Sequence, residues 1–128
     1  MAERDKTVLV VEDDADLREL MVLLLEGAGY RVMTARDGQV ALERVDERMP
    51  SVILLDMKMP GMNGWQFAEI FRARYGHAAP LIVVTAAEDA RRTAEEVGAD
   101  DHLGKPFELD DVLSLVERYA RQGAQPRL

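Results

Sequence analysis

The 128-residue chain contains no cysteine. Disulfides, thiolate metal sites and cysteine nucleophiles are therefore excluded. It has only two histidines, His77 and His102, well apart in sequence. That is poor material for a zinc site. No apolar run approaches the roughly 20 residues that a membrane-spanning helix needs. The opening Met-Ala-Glu-Arg-Asp-Lys lacks the apolar stretch of a signal peptide, so the expected compartment is the cytoplasm. Positive charge is also short. Sixteen basic against 24 acidic side chains leave a net charge of −8. Phosphates would be repelled, which argues against direct binding of nucleic acid.

The remaining composition suits a folded domain. Hydrophobic residues make up 48% and charged residues 31%, enough to fill a core and cover it. The length predicts one domain over 1–128, with a core of about 7–121. Residues 122–128 (QGAQPRL) carry Gly and Pro and read as a tail or the start of a linker.

Along the chain two hydrophobic periods alternate. Short apolar runs occur at Thr7 to Val11, Arg31 to Thr34, Ser51 to Leu55 and Leu81 to Thr85, with a weaker one at Asp101 to Leu103. They are too short for helices and suit strands covered on both faces. Between them the spacing is helical: Leu17, Leu20, Met21, Leu24 and Leu25; Val40, Ala41 and Val45; Phe67, Ala68, Phe71 and Tyr75; Leu109, Val112, Leu113, Val116, Tyr119 and Ala120. The stripe within Glu88 to Val97 is Ala90, Thr93, Ala94 and Val97, mostly small. That helix buries little apolar area and is expected to be the least firmly held. Gly27, Gly29, Asp37-Gly38, Pro50, Pro80 and Gly98 punctuate the boundaries. Five strands alternating with five helices predict an α/β fold, a doubly wound five-stranded parallel sheet.

In such sheets chemistry collects at the carboxyl ends of the strands. Glu12-Asp13-Asp14 follows the first run, Asp56 the third, and Lys105-Pro106 the fifth, while Thr85 ends the fourth. Crowded carboxylates repel one another unless a cation compensates. Oxygen ligands suit Mg²⁺, which would leave a coordination position for a phosphoryl oxygen. Lys105 and Thr85 could hold the other phosphoryl oxygens by charge and hydrogen bond. The set suits phosphoryl transfer onto a carboxylate, with Asp56 as nucleophile. Singly, each piece has an ordinary structural explanation. Asp14 is placed to cap the first helix, Lys-Pro is a frequent turn, and Thr is a frequent strand residue.

Four stretches carry a family resemblance: VLVVEDD (Val8 to Asp14), LLDMKMPGMNG (Leu54 to Gly64), VVTA (Val83 to Ala86) and GADDHLGKPF (Gly98 to Phe107). The chain resembles the receiver domain of bacterial two-component response regulators, chemotaxis-regulator-like, from about Thr7 to Arg121. The resemblance implies a flavodoxin-like fold with strand order 2-1-3-4-5. It implies that Asp56 accepts a phosphoryl group from the phosphohistidine of a sensor kinase or phosphotransfer protein. Mg²⁺ is the implied cofactor, held directly by Asp13, Asp56 and the backbone carbonyl of Lys58, with Glu12 acting through water. Thr85 and Lys105 are the implied contacts to the phosphoryl group, and Lys105-Pro106 matches a cis peptide. The implied role is regulatory, without ordinary turnover: Thr85 and a ring three residues before Lys105 switch the face made by the fourth helix, fifth strand and fifth helix. The implied listener is a downstream protein or an effector domain of a longer regulator.

Two positions depart from the family pattern. The ring position holds His102, which reads as a half-exposed polar residue or as an imidazole that switches with some pH dependence. Lys58 stands two residues after the acceptor, its side chain in solvent or leaning over the pocket. Trp65, Met57, Met59 and Met62 near the acceptor read as packing. Arg91, Arg92, Asp100, Asp101, Glu117 and Arg118 read as a solvated face, with a homodimer contact as the alternative. A flavin carrier would need a phosphate-cradling loop where Glu12-Asp13-Asp14 stands. An aspartyl-nucleophile phosphatase would place its nucleophile after the first strand and add a cap domain. A receiver that never takes phosphate would not need Glu12, Asp13, Asp56, Thr85 and Lys105 together.

Overall fold

The computed structural model describes residues 6–122. Strands and helices alternate along the chain as β1 (Thr7–Val11), α1 (Ala15–Gly27), β2 (Arg31–Ala35), α2 (Gly38–Glu47) and β3 (Val52–Asp56), then α3 (Gly64–Tyr75), β4 (Leu81–Ala86), α4 (Ala87–Val97), β5 (Asp101–Lys105) and α5 (Leu109–Gln122). Every strand pair is parallel and the order across the sheet is β2-β1-β3-β4-β5. This is the predicted doubly wound, flavodoxin-like arrangement. Parallel neighbours need crossover connections, and the helices supply them on both faces.

Successive strand residues point to opposite faces, so the sheet builds two cores. Leu9, Val11, Ile53, Leu55, Leu81 and Val83 meet α2, α3 and α4 through Val45, Phe67, Phe71 and Ala94. Val8, Val10, Val52, Leu54, Ile82 and Val84 meet α1 and α5 through Met21, Leu25, Val112 and Val116. That is why β1, β3 and β4 read as unbroken apolar runs, whereas the edge strands β2 and β5 are only partly covered. The α1 stripe is narrower than its spacing suggests: Met21 and Leu25 are buried, while Leu20 reaches solvent.

Helix starts follow local chemistry. Asp14 caps α1, accepting from the Asp16 and Leu17 N–H groups. Asp37 caps α2 by accepting from the Val40 N–H. Asn63 and Gln66 form a reciprocal capping box on α3. Helix α4 starts directly from β4 at Ala87, one residue earlier than its pattern predicts, and has no side-chain cap. Its buried residues are Ala90, Thr93 and Ala94, the small stripe read from the sequence. Helix α5 runs through Gln122, one residue into the segment read as a tail. Residues 123–128 of that segment lie outside the described residues.

The loop after β3 is clamped by two glycines. The Gly38 N–H donates to the Met62 carbonyl and the Gly64 N–H to the Met57 carbonyl, each at 2.9 Å. A Cβ on Gly64 would lie 2.7 Å from Met57 Cα and 2.8 Å from the Asp56 carbonyl oxygen. Those are backbone atoms that cannot swing aside. Gly64→Ala should therefore cost about 2 kcal/mol in urea denaturation. Gly27→Ala, with nothing within 4 Å, should be neutral or stabilising by up to about 1 kcal/mol.

Candidate functional site

The sheet register explains how distant residues meet. Val11 pairs with Leu55, so the next residues, Glu12 and Asp56, stand at the same level. Asp56 pairs with Val84, and one step further Thr85 pairs with Gly104 and Ala86 with Lys105. Parallel strands bring all these carboxyl ends to one rim. Asp56 is the last residue of β3 rather than the first of the loop, and Lys105 the last of β5. Both are thereby fixed by ladder hydrogen bonds.

Glu12, Asp56 and Thr85 are each 5% exposed or less, while Asp13 is exposed. One carboxylate oxygen each of Glu12, Asp13 and Asp56 lies within 4.8 Å of the others. Lys105 Nζ donates to Glu12 Oε1 at 3.0 Å and lies 3.6 Å from Asp56 Oδ1. The Lys105-Pro106 peptide is cis. Glu12, Asp13, Asp56, Thr85 and Lys105, singled out from sequence, thus stand at one rim. The side chain of Lys58 is in solvent. Met57 and Met59 are buried, and Met62 and Trp65 pack against the same core.

His102 lies on the α4–β5 side. Its N–H donates to Asp101 Oδ1 at 2.8 Å, and its Nδ1 is 3.9 Å from the same oxygen. With Arg91, Ala94, Glu95, Ala99 and Asp100 it lines a groove of about 280 Å³. Asp101 also accepts from the Tyr119 hydroxyl at 2.8 Å and lies 3.7 Å from Arg118. The charges of this face pair within the chain: Arg91 with Glu95, Arg92 with Asp89 and Glu96, Arg72 with Asp100.

Sequence reading missed one participant. Arg18, on α1, donates from its guanidinium to the Glu12 main-chain carbonyl at 2.7 Å. The only available signal was a basic residue one helical turn after the cap Asp14, and many exposed arginines share that placement.

Burial and the neighbouring Glu12 charge push Asp56 up from 3.8 to about 7, against the pull of Lys105. Burial pulls Lys105 down, but its bond to Glu12 and the charges of Asp56 and Glu12 hold it above its ordinary value. Three carboxylates facing one ammonium leave excess negative charge, which a hard cation with oxygen ligands would neutralise. The donor set therefore fits Mg²⁺. The folded chain holds the Asp56 proton more tightly than the unfolded chain does. Its contribution to stability is thus full below about pH 4 and lost as pH rises toward 7. With metal chelated, Asp56→Asn should gain on the order of 2 kcal/mol over the unsubstituted chain at pH 8. The gain should shrink toward zero near pH 4, measured by urea denaturation across that range.

Residues 8–117 match the family model described as the response regulator receiver domain. A DNA-binding response regulator, MtrA of Mycolicibacterium paratuberculosis, is 37% identical over 117 residues, spanning 90% of this chain and 51% of its own length. The DNA-binding transcriptional regulator NtrC of Escherichia coli is 37% identical over 125 residues, 94% of this chain and 26% of its own length. The chain therefore spans about half or less of these two relatives. The receiver domain of a sensor histidine kinase from Pseudomonas aeruginosa, solved with magnesium coordinated in its active-site cleft, superposes with a TM-score of 0.82 at 28% identity. That alignment covers 91% of this chain and 98% of the solved one. With the parallel sheet and the acidic rim at its carboxyl edge, the match establishes that this chain belongs to the response regulator receiver domains of bacterial two-component systems.

Proposed function

We propose that the domain, residues 1–128 with its core at about 7–121, is a Mg²⁺-dependent phosphoryl acceptor with Asp56 as the accepting side chain. One observation carries the reading: Lys105 reaches both Glu12 and Asp56 while the Glu12, Asp13 and Asp56 carboxylates crowd within 4.8 Å. Glu12, Asp13, Asp56 and the Lys58 backbone carbonyl would hold the ion. When bound, Mg²⁺ supplies the positive charge that lets the carboxylates coexist and orients a phosphoryl oxygen.

The steps belong to the chain's own groups. Ionised Asp56 attacks the phosphorus of a donor phosphohistidine. An oxygen–phosphorus bond forms, the phosphorus–nitrogen bond breaks, and its electron pair returns to the imidazole. Lys105, already charged at the rim, would exchange its Asp56 contact for a phosphoryl oxygen. The Thr85 hydroxyl would take another. That movement draws on the β4–α4 junction, where Ala87 begins a helix with a thin apolar stripe. His102 on the adjacent strand would respond to the vacated space, biasing the α4–β5–α5 face. The role is regulatory, with no further turnover than loss of the domain's own phosphoryl group.

The partners we propose are a sensor kinase or phosphotransfer protein and, downstream, a target protein or the effector domain of a longer regulator. The coverage of MtrA and NtrC favours the longer regulator. No described helix is long and apolar enough to cross a membrane, and the cytoplasm is the compartment we propose. The paired charges of the α4–β5–α5 face are the surface on which a homodimer would form.

Incubation with a small acyl phosphate and Mg²⁺, followed by intact mass spectrometry, should show one added phosphoryl group. Asp56→Asn should show none, chelation should abolish the gain, and Lys105→Ala should slow it at least about tenfold. Gain of mass by Asp56→Asn equal to the unsubstituted protein would reject the assignment.

A further inference from the structure

Glu12 is held at every polar atom. Its N–H donates to the Ala35 carbonyl at 2.9 Å, extending the ladder toward β2. Its carboxylate accepts from Lys105 through Oε1 and from the Asp14 N–H through Oε2 at 3.1 Å. Its carbonyl accepts from Arg18 at 2.7 Å. That last bond is unusual in its economy of charge. Arg18 is half-buried, yet among the described residues it forms no ion pair, although Glu12 and Asp13 are close in the chain. A guanidinium placed to neutralise would fork onto a carboxylate; this one instead grips the peptide that joins Glu12 to Asp13. Gripping that peptide fixes the direction in which both acidic side chains leave the backbone. It also braces the β1–α1 loop against the second turn of α1, whose start is already pinned by the Asp14 cap.

We infer that Arg18 is a positioning residue, which presets the Glu12–Asp13 peptide so that the acidic pair faces Asp56 in an arrangement ready for a divalent cation. This rests on the reading of that rim as a Mg²⁺ site. Such a role for Arg18 predicts an effect opposite in sign to simple electrostatics. Removing a positive charge near a cation site tightens cation binding if charge alone matters. Removing an orienting partner of the ligand loop weakens it, by about tenfold in comparable outer positions of metal sites.

The experiment is an amide NMR titration with Mg²⁺ on the whole chain, paired with urea denaturation in chelator, for Arg18→Ala, Arg18→Gln and Arg44→Ala. Arg44 is a suitable control because its Nε also donates to a strand carbonyl, Thr34, at 3.0 Å, away from the acidic rim. The expected result is a Mg²⁺ dissociation constant raised about tenfold in Arg18→Ala and raised less in Arg18→Gln, which keeps a shorter donor. Arg44→Ala should lose comparable stability with an unaltered constant. An unaltered or lowered constant in both Arg18 variants, with the unsubstituted chain titrating normally, would overturn the inference alone. Equal weakening in Arg44→Ala would reduce the effect to general loss of stability and overturn it too. No response of the unsubstituted chain to Mg²⁺ would overturn the site reading and the inference with it.

Discussion

Repulsion among buried like charges is the constraint around which this domain is arranged. Glu12 and Asp56 are almost fully covered, and Asp13 stands beside them. One ammonium, from Lys105, faces the group. Charges of this kind are costly away from water unless paired and hydrogen-bonded. The molecule answers with fixed donors. Lys105 and the Asp14 N–H meet the Glu12 carboxylate. Asp56 keeps the strain, which is why its proton is held to about pH 7. A group in that condition favours a positive charge beside it.

The rigid parts of the fold make this crowding tolerable. The three central strands are buried on both faces and hold the rim in register. Two glycines let the loop after Asp56 pass close to its neighbours. The α4 side is packed through small side chains. Helix α4 follows β4 without a loop or a side-chain cap and rests on small residues. Thr85 therefore stands between a sheet buried on both faces and a helix seated on small side chains. Local opening and shifts concentrate where buried apolar area is least.

Much of this was readable in the order of residues. The alternation of periods 2.0 and 3.6 is written in side-chain hydrophobicity, so the element order and the parallel sheet followed from it. Asp14, Asp37 and Gly98 act within a few residues of their own positions, and their roles as caps were legible or nearly so. The boundaries at Asp56, Ala86 and Lys105 were not. Each is extended by a ladder bond to a neighbouring strand, which local pattern does not carry. The exposure of Leu20 was hidden for the same reason, since a helical stripe states which face is apolar but not how far the neighbours cover it.

Local chemistry in the chain decided which segments coil, which extend, and which residue types follow each strand. Those choices depend on neighbours a few positions away. Packing in three dimensions decided the rest. It brought Lys105 within 3.0 Å of Glu12, 93 positions earlier. It turned Asp56 from an ordinary carboxylate into one that resists ionisation, because desolvation depends on everything that surrounds a group. It also gave Arg18 a peptide carbonyl to hold, a contact that no spacing in the sequence announces.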